Sequence, residues 1–391
     1  MVDLFTMLAH DEINDLEHPV VPPIYQTSLF TFSSYSEMEA AFRGESNRAI
    51  YSRGHNPTVA AFEAKVATLE GAEAARATSS GMAAISMAVL SSVSKGDRIV
   101  CVKHCYPDAF KLFMRFLPRF GVQVDFVDGT DTAAFIAALE GAKLAYLESP
   151  SSLMFTLQDL ETITNAARAL GVTTIIDNSW ATPIYQQPLR HGVDMVVHSA
   201  SKYLGGHSDV VAGIVLGSKE RIDKINSLEY SVLGGKLSPF EGFLLLRGLR
   251  TLPLRLAQQA KNTLEVASWL LEHPMVKNVN HPAFFKDDQA RIYQKYFSGS
   301  SSLFSIEIPG SRARIRAFVD ALKLFRLGVS WGGHESLVYP AAIGVDLPGD
   351  PNPNRFFGIS PNLVRLHVGL EASTDLIHDL EQAFTIAKEV N

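Results

Sequence analysis

His198-Ser199-Ala200-Ser201-Lys202-Tyr203-Leu204-Gly205-Gly206-His207 follows directly on the apolar run Asp194-Met195-Val196-Val197. A second apolar run, Thr173-Thr174-Ile175-Ile176, ends on Asp177-Asn178-Ser179. Short apolar runs that stop at polar, glycine-containing segments read as buried strands whose ends open onto a ligand. A lysine after a strand is usually a solvated surface group, but Lys202 stands between two serines and a Gly-Gly turn. Such an amine can form a Schiff base with pyridoxal phosphate (PLP), and nearby hydroxyls can hold the phosphate. Asp177 suits a strand end or a helix cap. Its place one βα unit before Lys202 favours a partner for the cofactor's ring nitrogen, kept protonated by the acid.

Outward from this pair, apolar runs alternate with helix-like segments. Strands are expected over 98–102, 123–127, 144–148, 173–176, 195–198 and 211–216, with helices such as 80–92 and 160–170 between them. This rhythm predicts an α/β fold with a mostly parallel central sheet, whose ligands bind at the carboxyl ends of the strands. Residues 1–50 show little periodicity and carry Pro19, Pro22 and Pro23, as an arm lying on a neighbouring subunit would. After Pro239 the texture changes. Helices over 240–250 and 254–272, then short strands (303–308, 363–368) between further helices (313–322, 376–389), predict a smaller C-terminal α+β domain. The domains are thus read as 1–50, 51–240 and 241–391.

Four other segments carry candidate chemistry. Ser79-Ser80-Gly81-Met82-Ala83-Ala84 opens a helix, where first-turn amides attract phosphate, although Ser-Gly is also an ordinary cap. Tyr51-Ser52-Arg53-Gly54 reads as a surface turn or a phosphate contact through the arginine fork. Tyr106 suits the core or a stack on the cofactor ring. Arg365 is a cation in the otherwise apolar Leu363-Val364-Arg365-Leu366, and a substrate carboxylate would offset the cost of burying it.

The bulk numbers restrict the partners. With 391 residues, 47% hydrophobic and 19% charged, the chain can bury large cores. A net charge of −6 without long charge runs argues against nucleic acid. No apolar stretch is long enough for a bilayer and the start lacks a secretory pattern, so a cytoplasmic protein without membrane contact is expected. Cys101 and Cys105 have no second ligand pair, so neither a metal site nor a disulfide is expected.

Taken together, Tyr51-Ser52-Arg53, Asn56-Pro57-Thr58, Ser80-Gly81-Met82, Glu148-Ser149-Pro150, Asp177-Asn178, Ser199-Ala200-Ser201-Lys202-Tyr203, Leu246-Arg247-Gly248-Leu249-Arg250 and Arg365-Leu366-His367-Val368-Gly369 resemble the Cys/Met metabolism PLP-dependent enzymes. That family comprises cystathionine β-lyase, cystathionine γ-synthase, cystathionine γ-lyase and methionine γ-lyase. The resemblance implies the type I (aspartate aminotransferase-like) fold of PLP enzymes and a homotetramer of active dimers. Tyr51 and Arg53 would reach the phosphate of the adjacent subunit's cofactor. Gly81, Met82, Ser199 and Ser201 would hold the phosphate within the subunit, and Tyr106 would stack on the ring. Arg365, with Ser330, would hold the carboxylate of a small amino-acid substrate, and Lys202 would move protons with help from Tyr106 and Asp177.

The resemblance leaves the bond to be broken open. Ser330-Trp331-Gly332-Gly333, Ser149-Pro150-Ser151-Ser152 and Tyr106-Pro107 lean toward β-lyases. Ser152 stands where γ-enzymes often carry asparagine. Residues 51–58, Leu237-Ser238-Pro239-Phe240 and Val329 lean toward the γ-enzymes, Val329 resembling methionine γ-lyases unless it only packs the wall. His334 reads as a supporting or surface histidine. The expected activity is a lyase, with β-elimination of cystathionine to homocysteine, pyruvate and ammonia placed first. A γ-lyase follows, acting on methionine, cystathionine, homocysteine or an O-linked homoserine derivative such as canavanine. A γ-replacement transferase and a non-catalytic PLP-binding protein come after it.

Overall fold

The computed structural model describes residues 3–11 and 19–390. Seven strands form the larger sheet: β1 (Ala74–Thr78), β2 (Arg98–Val102), β3 (Gln123–Val127), β4 (Leu144–Glu148), β5 (Thr173–Asp177), β6 (Met195–His198) and β7 (Gly213–Gly217). Their order is β1-β7-β6-β5-β4-β2-β3. β6, β5, β4, β2 and β3 run parallel, and β7 is antiparallel to both its neighbours.

Alternate residues of the same strands feed two cores. Val100, Ala145, Leu147, Ile176 and Val196 enter one; Ile99, Leu144, Tyr146, Ile175 and Val197 enter the other. A sheet covered on both faces requires continuous apolar runs, which is why β4 is buried at every residue. Each buried aliphatic side chain there contributes about 1.5–3 kcal/mol.

Two strands differ from the sequence expectation. β1 was not anticipated, because Ala-Ala-Arg-Ala-Thr lacks the β-branched and aromatic residues that mark strands. β7 starts at Gly213, and its antiparallel sense has a local cause. Residues 199–212, which join it to β6, hold only turns and no crossover helix. The lysine segment occupies that connection.

The smaller sheet has the order β10-β11-β12-β9-β8, from β8 (Asn278–Asn280), β9 (Leu303–Glu307), β10 (Arg326–Leu327), β11 (Leu337–Pro340) and β12 (Leu363–His367). The helix Leu252–Leu271 spans both cores, placing Leu252 and Leu256 against the larger sheet and Val266, Ala267 and Leu270 against the smaller. Within the arm, Leu4–Ala9 is helical and buries Leu8 in its own chain. Val20 and Tyr35 are exposed, and residues 1, 2 and 12–18 of the arm lie outside the described residues. Among the described residues, no helix is long and apolar enough to cross a membrane.

Candidate active site

The carboxyl ends of β4, β5 and β6 and the turns before β11 enclose a cavity of about 760 Å³. Of the sequence-derived candidates, Gly81, Met82, Tyr106, Ser152, Asp177, Ser199, Ser201, Lys202, Val329, Ser330 and Arg365 all line it. Tyr51 and Arg53 do not. They line a separate recess of about 250 Å³ with Gln26, Ser28 and Lys236, and Tyr51 is largely exposed.

Lys202 Nζ donates to Ser330 Oγ at 2.5 Å and lies 5.3 Å from the centroid of the Trp331 ring. Burial, then the charge of Arg365, pulls its pKa down to about 8, against an opposing pull from Asp177. The loop that carries it is fixed from behind. Arg255, in the long helix, donates to the carbonyl of Tyr203 at 2.9 Å and to that of Gly248 at 2.8 Å. Gly206 has φ +72°, and a Cβ there would lie 1.9 Å from the Arg255 guanidinium, so only glycine suits this turn.

Asp177 ends β5 opposite Glu148, which ends β4. Burial raises the pKa of Asp177, offset by hydrogen bonds from Ser179, whose N–H donates at 2.9 Å, and by the charge of Lys202. Burial and the charge of Asp177 likewise push Glu148 well above the carboxylate range. The N–H of Tyr106 donates to Glu148 at 2.7 Å, which fixes where the tyrosine ring begins. Sequence reasoning quoted Glu148 without giving it a task; its signal was an acid ending an apolar strand, as in Asp177.

At the helix Gly81–Leu90, the Ser80 side chain caps the N–H of Ala83. The amides of Gly81 and Met82 precede any acceptor within the helix. A Cβ on Gly81 would lie 2.8 Å from that of Ser199, so the glycine keeps this end of the cavity open. The Ser201 hydroxyl donates to the carbonyl of Ala212 at 3.1 Å, whereas the Ser199 hydroxyl has no hydrogen bond among the described residues.

Arg365, midway along β12, donates to the carbonyl of Ser330 at 3.2 Å and lies 5.1 Å from the centroid of the Tyr339 ring. It has no carboxylate partner among the described residues, and burial draws its pKa down to about 10. Ser330 has φ +78°, a strained value for a residue with a Cβ. A chain missed by sequence reasoning holds that turn. Gly332 N–H donates to His367 Nε2 at 3.1 Å, His367 Nδ1 faces Ser302 Oγ at 2.9 Å, and Ser302 Oγ meets the Tyr203 hydroxyl at 2.9 Å. Burial lowers the His367 pKa to about 4, so this imidazole is neutral. The Ser330 turn and the lysine loop are thereby tied together.

Val329 is 76% exposed at the cavity rim. His334 is exposed, 3.4 Å from Glu335. Cys101 and Cys105 are buried free thiols.

The model of the Cys/Met metabolism PLP-dependent enzymes matches residues 6–385. The chain belongs to this family. It is 37% identical over 382 residues to the L-methionine gamma-lyase of Pseudomonas putida, covering 97% of this chain and 96% of that protein. It is 36% identical over 392 residues to the cystathionine gamma-synthase of Escherichia coli K12, covering 98% of each. Its structure superposes on cystathionine gamma synthase from Xanthomonas oryzae pv. oryzae with a TM-score of 0.93 at 32% identity, covering 100% of both chains. It is a type I PLP enzyme of the lyase and synthase group. The cavity suits that cofactor: unengaged helix-end amides and the Ser199 hydroxyl match a phosphate, Asp177 matches a protonated ring nitrogen, and Lys202 is a weakly basic amine lining the same cavity.

Proposed function

We propose that the protein is a lyase that releases a sulfur- or oxygen-linked group from the γ-carbon of an amino acid. The observation that carries this reading is the distribution of charge around the cavity. Among the described residues Arg365 has no acidic partner, while the rim carries the neutral Val329. An α-carboxylate therefore has its cation, and Val329 offers the leaving end of the substrate an uncharged contact at the rim. The curated relatives named above are γ-enzymes, which favours the same reading.

In this proposal PLP, when bound, draws electrons away from the substrate's α-carbon. Amides of Gly81 and Met82, with the Ser199 and Ser201 region, would hold its phosphate; Asp177 would face its ring nitrogen and Tyr106 its ring face. Arg365 and the strained Ser330 turn orient the carboxylate. Lys202 is the base: an amine with a pKa near 8 has an appreciable neutral fraction at neutral pH, and its length lets it take protons first at Cα and then at Cβ. We further propose domains at 1–50, 51–240 and 241–391, with arm residues after 19 against a neighbouring subunit. Tyr51 and Arg53 would serve that subunit's cavity, in a cytoplasmic homotetramer.

One feature favours a second reading, β-elimination of cystathionine: Trp331 lines the cavity beside Lys202, in the turn that leaned toward β-lyases. Product analysis separates the two. Offered methionine, cystathionine, homocysteine and canavanine in turn, a γ-lyase yields 2-oxobutyrate or homoserine, while cystine, which has no γ-carbon, reports β-elimination alone through pyruvate. Pyruvate with homocysteine from cystathionine alone would overturn the γ reading.

A further inference from the structure

Tyr106 lies just outside the short helix Pro107–Lys111, with extended backbone (φ −49°, ψ 134°). Residues two apart on a helix do not face one another. Because Tyr106 is not helical, its hydroxyl reaches Asp108, donating to Oδ2 at 3.0 Å. The other oxygen, Oδ1, accepts from Lys111 Nζ at 2.7 Å. The carboxylate is thus held from one side by an ammonium and presents its free edge to the phenol. Both Tyr106 and Asp108 line the cavity that contains Lys202 and Arg365.

A phenol has one hydrogen to give and two lone pairs to accept with. We propose that Asp108 is a positioning residue that takes the Tyr106 hydrogen, so that Tyr106 serves the reaction as a neutral hydrogen-bond acceptor for the substrate amine and leaves proton abstraction to Lys202. This rests on the reading of the cavity as the site of elimination. The charged and titratable groups around the phenol agree with it. Asp108, with Lys111 behind it, faces Tyr106 from its own helix, Glu148 from the end of β4 and Asp177 from the end of β5, while Arg365 faces it from β12. Burial and the three acids raise the phenol pKa, and Arg365 opposes them.

The test titrates the phenol itself. A fluorinated tyrosine placed at position 106 of the holoenzyme brings ionisation into the working range, and fluorine resonance follows it without turnover. Asp108→Asn is expected to lower the midpoint by about one pH unit, and Asp108→Glu to restore it. Lys111→Gln, which strips the carboxylate of its ammonium, is expected to raise it. In the same fluorinated enzyme, the alkaline limb of kcat should move down in Asp108→Asn by a similar amount. An unchanged midpoint in Asp108→Asn overturns the proposal, and so does a lowered midpoint with an unmoved alkaline limb. The titration does not depend on which bond the enzyme breaks, so failure of the γ reading would leave its result intact.

Discussion

The two sheets supply the cavity with opposite charges and support them differently. The larger sheet places acids at strand ends, where the chain turns away and loop N–H groups can reach back: Ser179 to Asp177 and Tyr106 to Glu148. The smaller sheet places Arg365 in mid-strand, with Tyr339 opposite it in register and a ring and a carbonyl as its company. The acids are largely satisfied within the protein, and burial raises their pKa values. Among the described residues, the arginine keeps a guanidinium without an acid. We propose that one sheet holds the resident cofactor and that the other offers its charge to the substrate.

Lys202 lies between the two, and its replacement should have the largest effect. Lys202→Ala is expected to lower kcat by roughly 10²–10⁴-fold, the usual contribution of a positioned base, with the fold intact by circular dichroism. Retained turnover would remove the lysine from the account. Arg365→Ala comes next. Losing a charge-assisted contact costs about 2 kcal/mol, or roughly 30-fold, and should fall mainly on KM. Arg365→Lys should recover only part of this, because an ammonium cannot make the forked contact. An effect confined to kcat would mean that the arginine does not bind the carboxylate.

A third prediction sets the two sheets against each other. Apoenzyme takes up PLP through the neutral amine, so the uptake rate should rise with pH around a midpoint near 8. Arg365→Ala removes a cation that suppresses the ammonium and should move the midpoint upward. Asp177→Asn removes an anion that favours it and should move the midpoint downward. Shifts of the same sign would contradict the opposed influence of the two sheets. The smallest effect is expected at the rim. Val329→Ala should change kcat/KM for methionine by about twofold, as for other exposed positions.

The same contrast explains what the sequence disclosed. Asp177 and Lys202 were legible because one ends an apolar run and the other lies in the loop that follows one, and central parallel strands cannot hide their pattern. Arg365 was legible as a charge among aliphatic residues. β1 was not, because an alanine-rich edge strand takes its conformation from pairing with β7. Arg255, Ser302 and His367 were missed for a related reason. They act across 52, 99 and 35 positions of sequence, on Tyr203 and Gly332, and no local spacing encodes such contacts. The Tyr106–Asp108 bond is only two positions long, yet it depends on the tyrosine standing outside its helix.

The central claim is that Lys202 reaches both Cα and Cβ of the substrate, as γ-elimination requires. It is tested most directly by incubating the holoenzyme in deuterium oxide with 2-aminobutyrate, which has no leaving group, and following its hydrogens by proton NMR. The account predicts deuterium at Cα and at Cβ, with both exchanges lost in Lys202→Ala. Exchange at Cα alone would contradict it.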